Sequence, residues 1–440
     1  MSPTAMSRFP GRVRQSASPQ RLLTCAAAAL LVAACGSSST SSSGSGSSGN
    51  IKTDSAGHVS YGVLSCFTGT LAVLGKAMIQ GSQVAQKVIN DAGGVLGKPL
   101  DLSHADTQCD EADAVPAVRQ LLASDSATGI IGPETQEIAA VAPIVSAAKI
   151  PTEFQGGSTA FDKNSNKYLW RDSPSDSQLG VAMALYAHQK GYTKAALLFS
   201  SDIAQQTIPK PITATWQKFG NTIVSNITVA PNQTSYRSQV QQIISAAPDV
   251  IFTQLDPQTA AVMFQNFKEL DNLAIPIVGT DVTSGSDYLN AITYPIAHAH
   301  LVSIYGTNAT GAAADNFAKA FAAQNGSTAL PIAGANYAYD AVISLALTMD
   351  KAGTTDGPAV IVDMKAVTNP PGTPCDDYAT CLKDIKAGTK IKMDGSSGDL
   401  IFNNFNNVFG PYGAFQADAS SGAESQVQLL SAKDLAAATP

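Results

Sequence analysis

From His58 onward, short apolar runs alternate with longer amphipathic stretches, the pattern that builds a parallel sheet covered by helices. It predicts strand 59–64, helix 72–91 closed by Gly93-Gly94, strand 100–106, a helix through Leu122, strand 129–131, helix 135–148 and strand 150–154. Proline fits only the first turn of a helix, so Pro116 sets the start of the second helix late, with Asp113 as its N-cap. A second series opens after Tyr168-Leu169-Trp170-Arg171: helix 176–190, strand 195–199, helix 207–219, strand 222–229, helix 236–246, strand 250–253, helix 258–270 and strand 275–279. After strand 301–304 the alternation fails. Helices 312–324 and 336–353 follow without a strand between them and are expected to close the first lobe, while strand-like 399–402 and 426–430 are expected to pair with the second. The fold class is therefore α/β, two doubly wound parallel-sheet lobes joined by a three-crossover hinge. The expected bounds are 58–174 with 306–372 for the first lobe and 175–305 with 373–440 for the second. In such sheets ligands bind beyond the carboxyl ends of the strands.

The first fifty residues break the pattern. Arg8, Arg12, Arg14 and Arg21 precede an apolar run from Leu22 to Ala34 with no acid among them, which reads as a secretory signal over 1–34. The run ends at Leu31-Val32-Ala33-Ala34-Cys35-Gly36, which resembles the lipobox of bacterial lipoproteins. That resemblance implies cleavage before Cys35, lipidation of its thiol and anchoring to the outer face of the cell membrane. Residues 35–57 then form the lipidated cysteine and a Ser/Gly-rich tether, a composition that cannot bury apolar area. Gly44, Gly46 and Gly49 satisfy G-x-G-x-x-G, but no strand precedes them and no helix follows, so no dinucleotide site is read there.

The whole chain has 440 residues with 27 Lys+Arg against 34 Asp+Glu, which argues against nucleic acid as a partner. Removal of the signal takes away four arginines and no acid, making the exported chain more acidic. Four cysteines remain besides Cys25 and Cys35, an even number in an exported protein and hence two expected disulfides. Cys66 and Cys109 each follow a strand of the first series, and neighbouring strands lie about 4.8 Å apart, so their loops can meet. Cys375 and Cys381 bound a short loop. No nucleophile elbow, zincin helix, C-x-x-C or P-loop stands in a suitable context, and the five histidines lack metal spacing. No catalytic residue, metal or cofactor is expected.

Gly62-Val63-Leu64, Thr68-Gly69, the run Asp91-Ala92-Gly93-Gly94-Val95-Leu96-Gly97-Lys98-Pro99-Leu100 and Ala105-Asp106-Thr107-Gln108-Cys109-Asp110 resemble the branched-chain amino-acid binding-protein family. Ile130-Ile131-Gly132-Pro133, Val141-Ala142-Pro143, Ile150-Pro151 and Arg171-Asp172-Ser173-Pro174-Ser175-Asp176 continue the resemblance. These are type I periplasmic binding proteins that feed ABC importers, and the likeness covers nearly all of the chain from His58. It implies a non-enzymatic receptor that closes two lobes over a small polar solute, such as an amino acid, and presents it to permease subunits. A monomer is expected. The alternative is a ligand-sensing module of the same fold that controls a partner protein.

The resemblance also implies site residues. Gly156-Gly157-Ser158-Thr159 falls at the family's small-hydroxyl segment, giving a backbone role to Gly156 and a hydroxyl role to Ser158 toward a carboxylate, with Thr135 and Gln136 beside them. Ser158 and Thr135 could equally cap their helices. Val278-Gly279-Thr280-Asp281 matches the second-lobe acid that meets an ammonium, with Asp256 as competitor. Leu74 and Ala204 stand where the family has aromatic walls. Glu134 and Glu153 stand where it often has small or apolar residues, and an acid in a cleft meant for a carboxylate repels it. Either these two face away, or the ligand is not a plain branched-chain amino acid.

Overall fold

The computed structural model describes residues 50–440, apart from Thr70, Asp271, Asn272, Asn308, Ala309, Thr328 and Leu330. The signal, Cys35 and most of the tether lie outside the described residues. The first lobe is built on β1 (Val59–Ser65), β2 (Leu100–Asp106), β3 (Gly129–Ile131), β4 (Thr152–Phe154) and β5 (Leu169–Arg171), ordered β2-β1-β3-β4-β5 and parallel throughout. The second is built on β6 (Lys194–Ser200), β7 (Thr222–Val229), β8 (Val250–Gln254), β9 (Ile277–Gly279) and β10 (Leu301–Gly306), ordered β10-β9-β8-β6-β7. A small sheet joins β11 (Thr373–Cys375), β12 (Ile391–Gly395) and β13 (Gly398–Asp399), and two antiparallel strands, β14 (Tyr412–Ala417) and β15 (Glu424–Leu430), extend the second sheet beyond β10.

β1 is buried along its whole length, as a central strand covered on both faces must be. Helix Ala72–Asp91 buries Ala77, Met78, Gly81, Val84, Ala85 and Ile89, a stripe at three- and four-residue spacing. It packs against helix Ala335–Ala352 so closely that a Cβ on Gly81 would lie 1.9 Å from the Ala335 carbonyl oxygen. Larger side chains are excluded there. The second helix starts earlier than Pro116 predicts, at Glu111, because the Asp110 carboxylate accepts from the Ala112 and Asp113 N–H groups; Asp110, not Asp113, is the N-cap, and Pro116 sits inside the helix.

The helices at Ala312–Asn325 and Ala335–Ala352 close the first lobe, where Phe317, Phe321, Val342 and Leu345 join the core of β1 and β2. The segment after 372 departs from expectation. Cys375, Tyr378, Cys381, Ile391, Met393, Leu400, Phe402 and Val408 all pack into that same first core rather than with the second lobe. Phe402 meets Trp170 edge to face at 5.2 Å, its backbone is bracketed by the Asn369 amide, and Tyr378 donates to Asp350 at 2.6 Å. The strand expected over 399–402 is accordingly only the short β13, and the chain crosses to the second lobe after Val408. Asn407 lies beside Arg171 at the hinge, and β15 pairs in the second sheet as expected.

Candidate functional site

The loops that follow the parallel strands of both sheets face one another and enclose a cavity of about 110 Å³. The first lobe contributes Leu71, Leu74 and Ala77 after β1, Glu134-Thr135-Gln136 after β3, and Gln155 and Gly157 after β4. The first crossing contributes Ser173, Pro174 and Asp176. Opposite stand Ala204 after β6, Gln254 at the end of β8, Asp281 and Val282 after β9, and Tyr305 and Gly306 at the end of β10. Tyr337 and Tyr412 complete the wall.

Of the residues expected from sequence, Leu74, Thr135, Gln136, Gly157, Ala204 and Asp281 thus border the cavity, while Gly156, Ser158 and Asp256 do not. Asp256 caps helix Pro257–Glu269, its Oδ1 accepting from Gln258 and Thr259 N–H at 3.0 Å each. Ser158 gives its carbonyl to Arg171 Nη1 at 3.0 Å. Gly157 donates its N–H to Thr135 Oγ1 at 2.7 Å, and a Cβ there would fall 1.9 Å from the Asp176 carboxylate. Leu74 and Ala204 do form a wall: with Leu71, Val282 and Cys109 they make an apolar contact between the lobes.

The two unexpected acids separate. Glu153, on β4, is fully buried and accepts from Ser344 Oγ at 2.6 Å, and it does not border the cavity. Glu134 faces the cavity, 7% exposed. Burial, with Glu137 and Asp281 nearby, pushes its carboxyl up to about 8, against a weak opposing bond from Ser65. Burial likewise lifts Asp176 to about 7, opposed by the Thr207 hydroxyl that donates to it and reinforced by Asp281. Asp281, partly buried, is raised by desolvation despite a 3.0 Å bond from the Val282 N–H.

Sequence reasoning missed Asp176, Tyr305, Tyr337 and Tyr412. Asp176 follows the motif from Arg171 and was explicable as an acid in a helix first turn, where the dipole favours it. The tyrosines lie at or near crossings, with no periodicity to mark them.

Both expected disulfides are present, Cys66–Cys109 and Cys375–Cys381. Two groups among the described residues cluster closely enough for an ion: Cys66, Cys109 and Glu137, whose sulfurs are joined in the disulfide, and the surface trio Asp54, His58 and Asp101. Neither borders the cavity. No helix among the described residues is long and apolar enough to cross a membrane.

Comparison with known proteins places this geometry. A family described as periplasmic binding protein matches residues 58–391. The Leu/Ile/Val-binding protein BraC3 of Rhizobium johnstonii is 26% identical over 248 residues, 53% of this chain and 67% of that protein. Among solved structures, a leucine-binding protein LivK from Thermotoga maritima superposes with a TM-score of 0.73 at 17% identity, over 86% of this chain and 99% of that one. The branched-chain amino-acid binding protein LivJ of Streptococcus pneumoniae, in complex with isoleucine, gives 0.72 at 19% identity over 85% and 99%. At these identities the structures carry the fold, not the ligand.

Proposed function

The chain belongs to the type I periplasmic binding proteins of the branched-chain amino-acid transporter family, and from that premise we propose that it is an extracytoplasmic solute receptor. It captures one small polar solute, an amino acid or a related compound, between its lobes and hands it to the permease of an ABC importer. The observation that supports this reading is a cavity with carboxyls from both lobes turned into it, Glu134 from one and Asp281 from the other. Neither lobe holds a complete site, so closure about the hinge assembles it, and the closed form is what a permease can distinguish. In this reading Asp281 meets an amino group of the solute, Thr135, Gln136 and Gly157 form a polar lip, and Leu74 and Ala204 an apolar wall. A buried water takes up about 10–15 Å³ of such a cavity, so the space of about 110 Å³ suits a solute with on the order of ten non-hydrogen atoms. The receptor acts as a monomer, tethered through lipid on Cys35 to the outer face of the membrane, and performs no chemistry on its ligand.

Mass spectrometry of material released by denaturing the protein tests the receptor role. One solute at one-to-one stoichiometry is expected after incubation with a metabolite extract. No retained solute from any extract contradicts it. Cys35→Ala should move the protein from membrane to soluble fraction with its fold unchanged; retention on the membrane contradicts the anchor.

A further inference from the structure

We infer that the cleft is built for a small organic cation, an amine without a free carboxylate, rather than for an α-amino-acid zwitterion; this rests on the receptor reading above. Three carboxyls border the cavity, from Glu134, Asp176 and Asp281, and among the described residues that border it there is no Lys, Arg or His. An entering carboxylate would find no cation at the wall to offset its charge in a desolvated space, and would oppose ionisation of all three carboxyls.

Arg171, the buried cation of β5, is largely committed elsewhere, with only its Nε lacking a partner among the described residues. Arg171, 1% exposed, binds Asp162 Oδ1 through Nη2 at 2.6 Å and the carbonyls of Gly157 and Ser158 through Nη1 at 3.3 and 3.0 Å. Of the donors that the family resemblance assigns to a carboxylate, none stands free toward the cavity, although Gln155 Nε2, which borders it, is a buried donor with no partner among the described residues. The Gly157 N–H is bonded to Thr135, and neither Gly156 nor Ser158 borders the cavity.

Glu134 supplies the independent sign of a missing partner. Its one hydrogen bond among the described residues is the 3.4 Å contact from Ser65 Oγ to Oε1. No donor among the described residues bonds its Oε2, although the side chain is more than nine-tenths buried and borders the cavity. A solute N–H can donate to that oxygen, because a buried carboxylate is costly until a donor or cation meets it. Tyr305, Tyr337 and Tyr412 border the same space, with Tyr305 stacked on Phe415 at 3.9 Å, and aromatic rings can attract ammonium groups.

The titration of the wall agrees with this geometry. Glu134 faces Ser65, Glu137 and Asp281, and Asp176 faces the Thr207 hydroxyl, Asp281, Arg171 and Asp162. Both carboxyls hold protons well above the usual range, and an arriving ammonium favours their ionised forms. Protons therefore pass from the two carboxyls to the buffer as the cation binds.

Calorimetry on the full chain at pH 7, freed of endogenous solute by dialysis, tests the charge preference with three compounds of similar bulk. L-Leucinamide carries the amine without the carboxylate, L-leucine carries both, and 4-methylpentanoate carries only the carboxylate. Leucinamide is expected to bind at least about tenfold more tightly than leucine, with proton release seen as different heats in phosphate and Tris, and 4-methylpentanoate not to bind. Glu134→Gln should weaken leucinamide by about tenfold or more. Tighter binding of leucine than of leucinamide, binding of 4-methylpentanoate, or silence from all three overturns the inference. The receptor reading is judged separately by one-to-one solute retention, so a retained carboxylate would sink the charge preference alone.

Discussion

Asp340 and Glu134 are both buried carboxyls of the first lobe, and their surroundings are opposite. Asp340 lies on helix Ala335–Ala352 and accepts from Ser396 N and Oγ at 2.8 and 2.9 Å and from Ser397 N and Oγ at 2.7 and 2.6 Å. Every lone-pair direction that matters is used, and the carboxylate pins the β12–β13 turn to the helix. Glu134 has, among the described residues, a single long bond, and it borders the cavity. Burial raises both carboxyls, Asp340 to about 6 and Glu134 to about 8, and the fuller set of donors opposes the rise at Asp340. A satisfied acid holds the fold; an unsatisfied one beside a cavity is a binding group without its ligand.

The comparison breaks most visibly at Asp340. Asp340→Ala strands two buried backbone donors, and thermal unfolding should report a loss of about 3–5 kcal/mol. A variant as stable as the parent would mean that the turn is held by other contacts. Asp281→Ala should leave stability nearly unchanged yet weaken solute binding by about 2–5 kcal/mol, on the order of 30-fold to several-thousand-fold, because one partner of a buried charge pair is removed. Asp256→Ala, at the helix cap outside the cavity, should leave affinity unchanged in the same calorimetric titration.

Glu134 sharpens the contrast through pH. Its folded-state pKa is raised from 4.5 to about 8, so the stability contributed by its neutral form is fully present below 4.5 and is lost as pH rises through about 8. Glu134→Gln keeps the side chain neutral, and the unliganded variant should exceed the parent by on the order of 4 kcal/mol at pH 8 and by nothing at pH 4. Parallel melting profiles across that range would contradict the assignment. The smallest effect is expected at Lys76 and Asp287, an ion pair of 2.6 Å between the lobes with both side chains about half exposed. Lys76→Ala should change affinity by less than about 1 kcal/mol, and less still in high salt.

The alternating pattern made most of both sheets legible, because buried parallel strands are short apolar runs and their helices carry one apolar stripe. The third crossing was not legible. Leu400 and Phe402 look alike whichever core receives them, and only the packing of Phe402 on Trp170 decides. At the site, Asp281 was found because it follows a strand within a motif. Tyr412 approaches the first crossing from the far end of the chain, its hydroxyl 3.4 Å from the Ser175 carbonyl, and no local signal encodes that meeting. Glu134 stood out as an acid where the resemblance often has small or apolar residues, but its direction depends on backbone geometry that composition does not carry.

Glu134 and Asp281 reach the cavity from opposite lobes, and a crystal structure of the protein with its co-purified solute tests most directly whether a cation joins them. It should show a solute nitrogen within about 3 Å of carboxylate oxygens of both Glu134 and Asp281, with no solute carboxylate in the cavity. A bound carboxylate resting on Thr135 and Gln136, with Glu134 turned away from the solute, would contradict it.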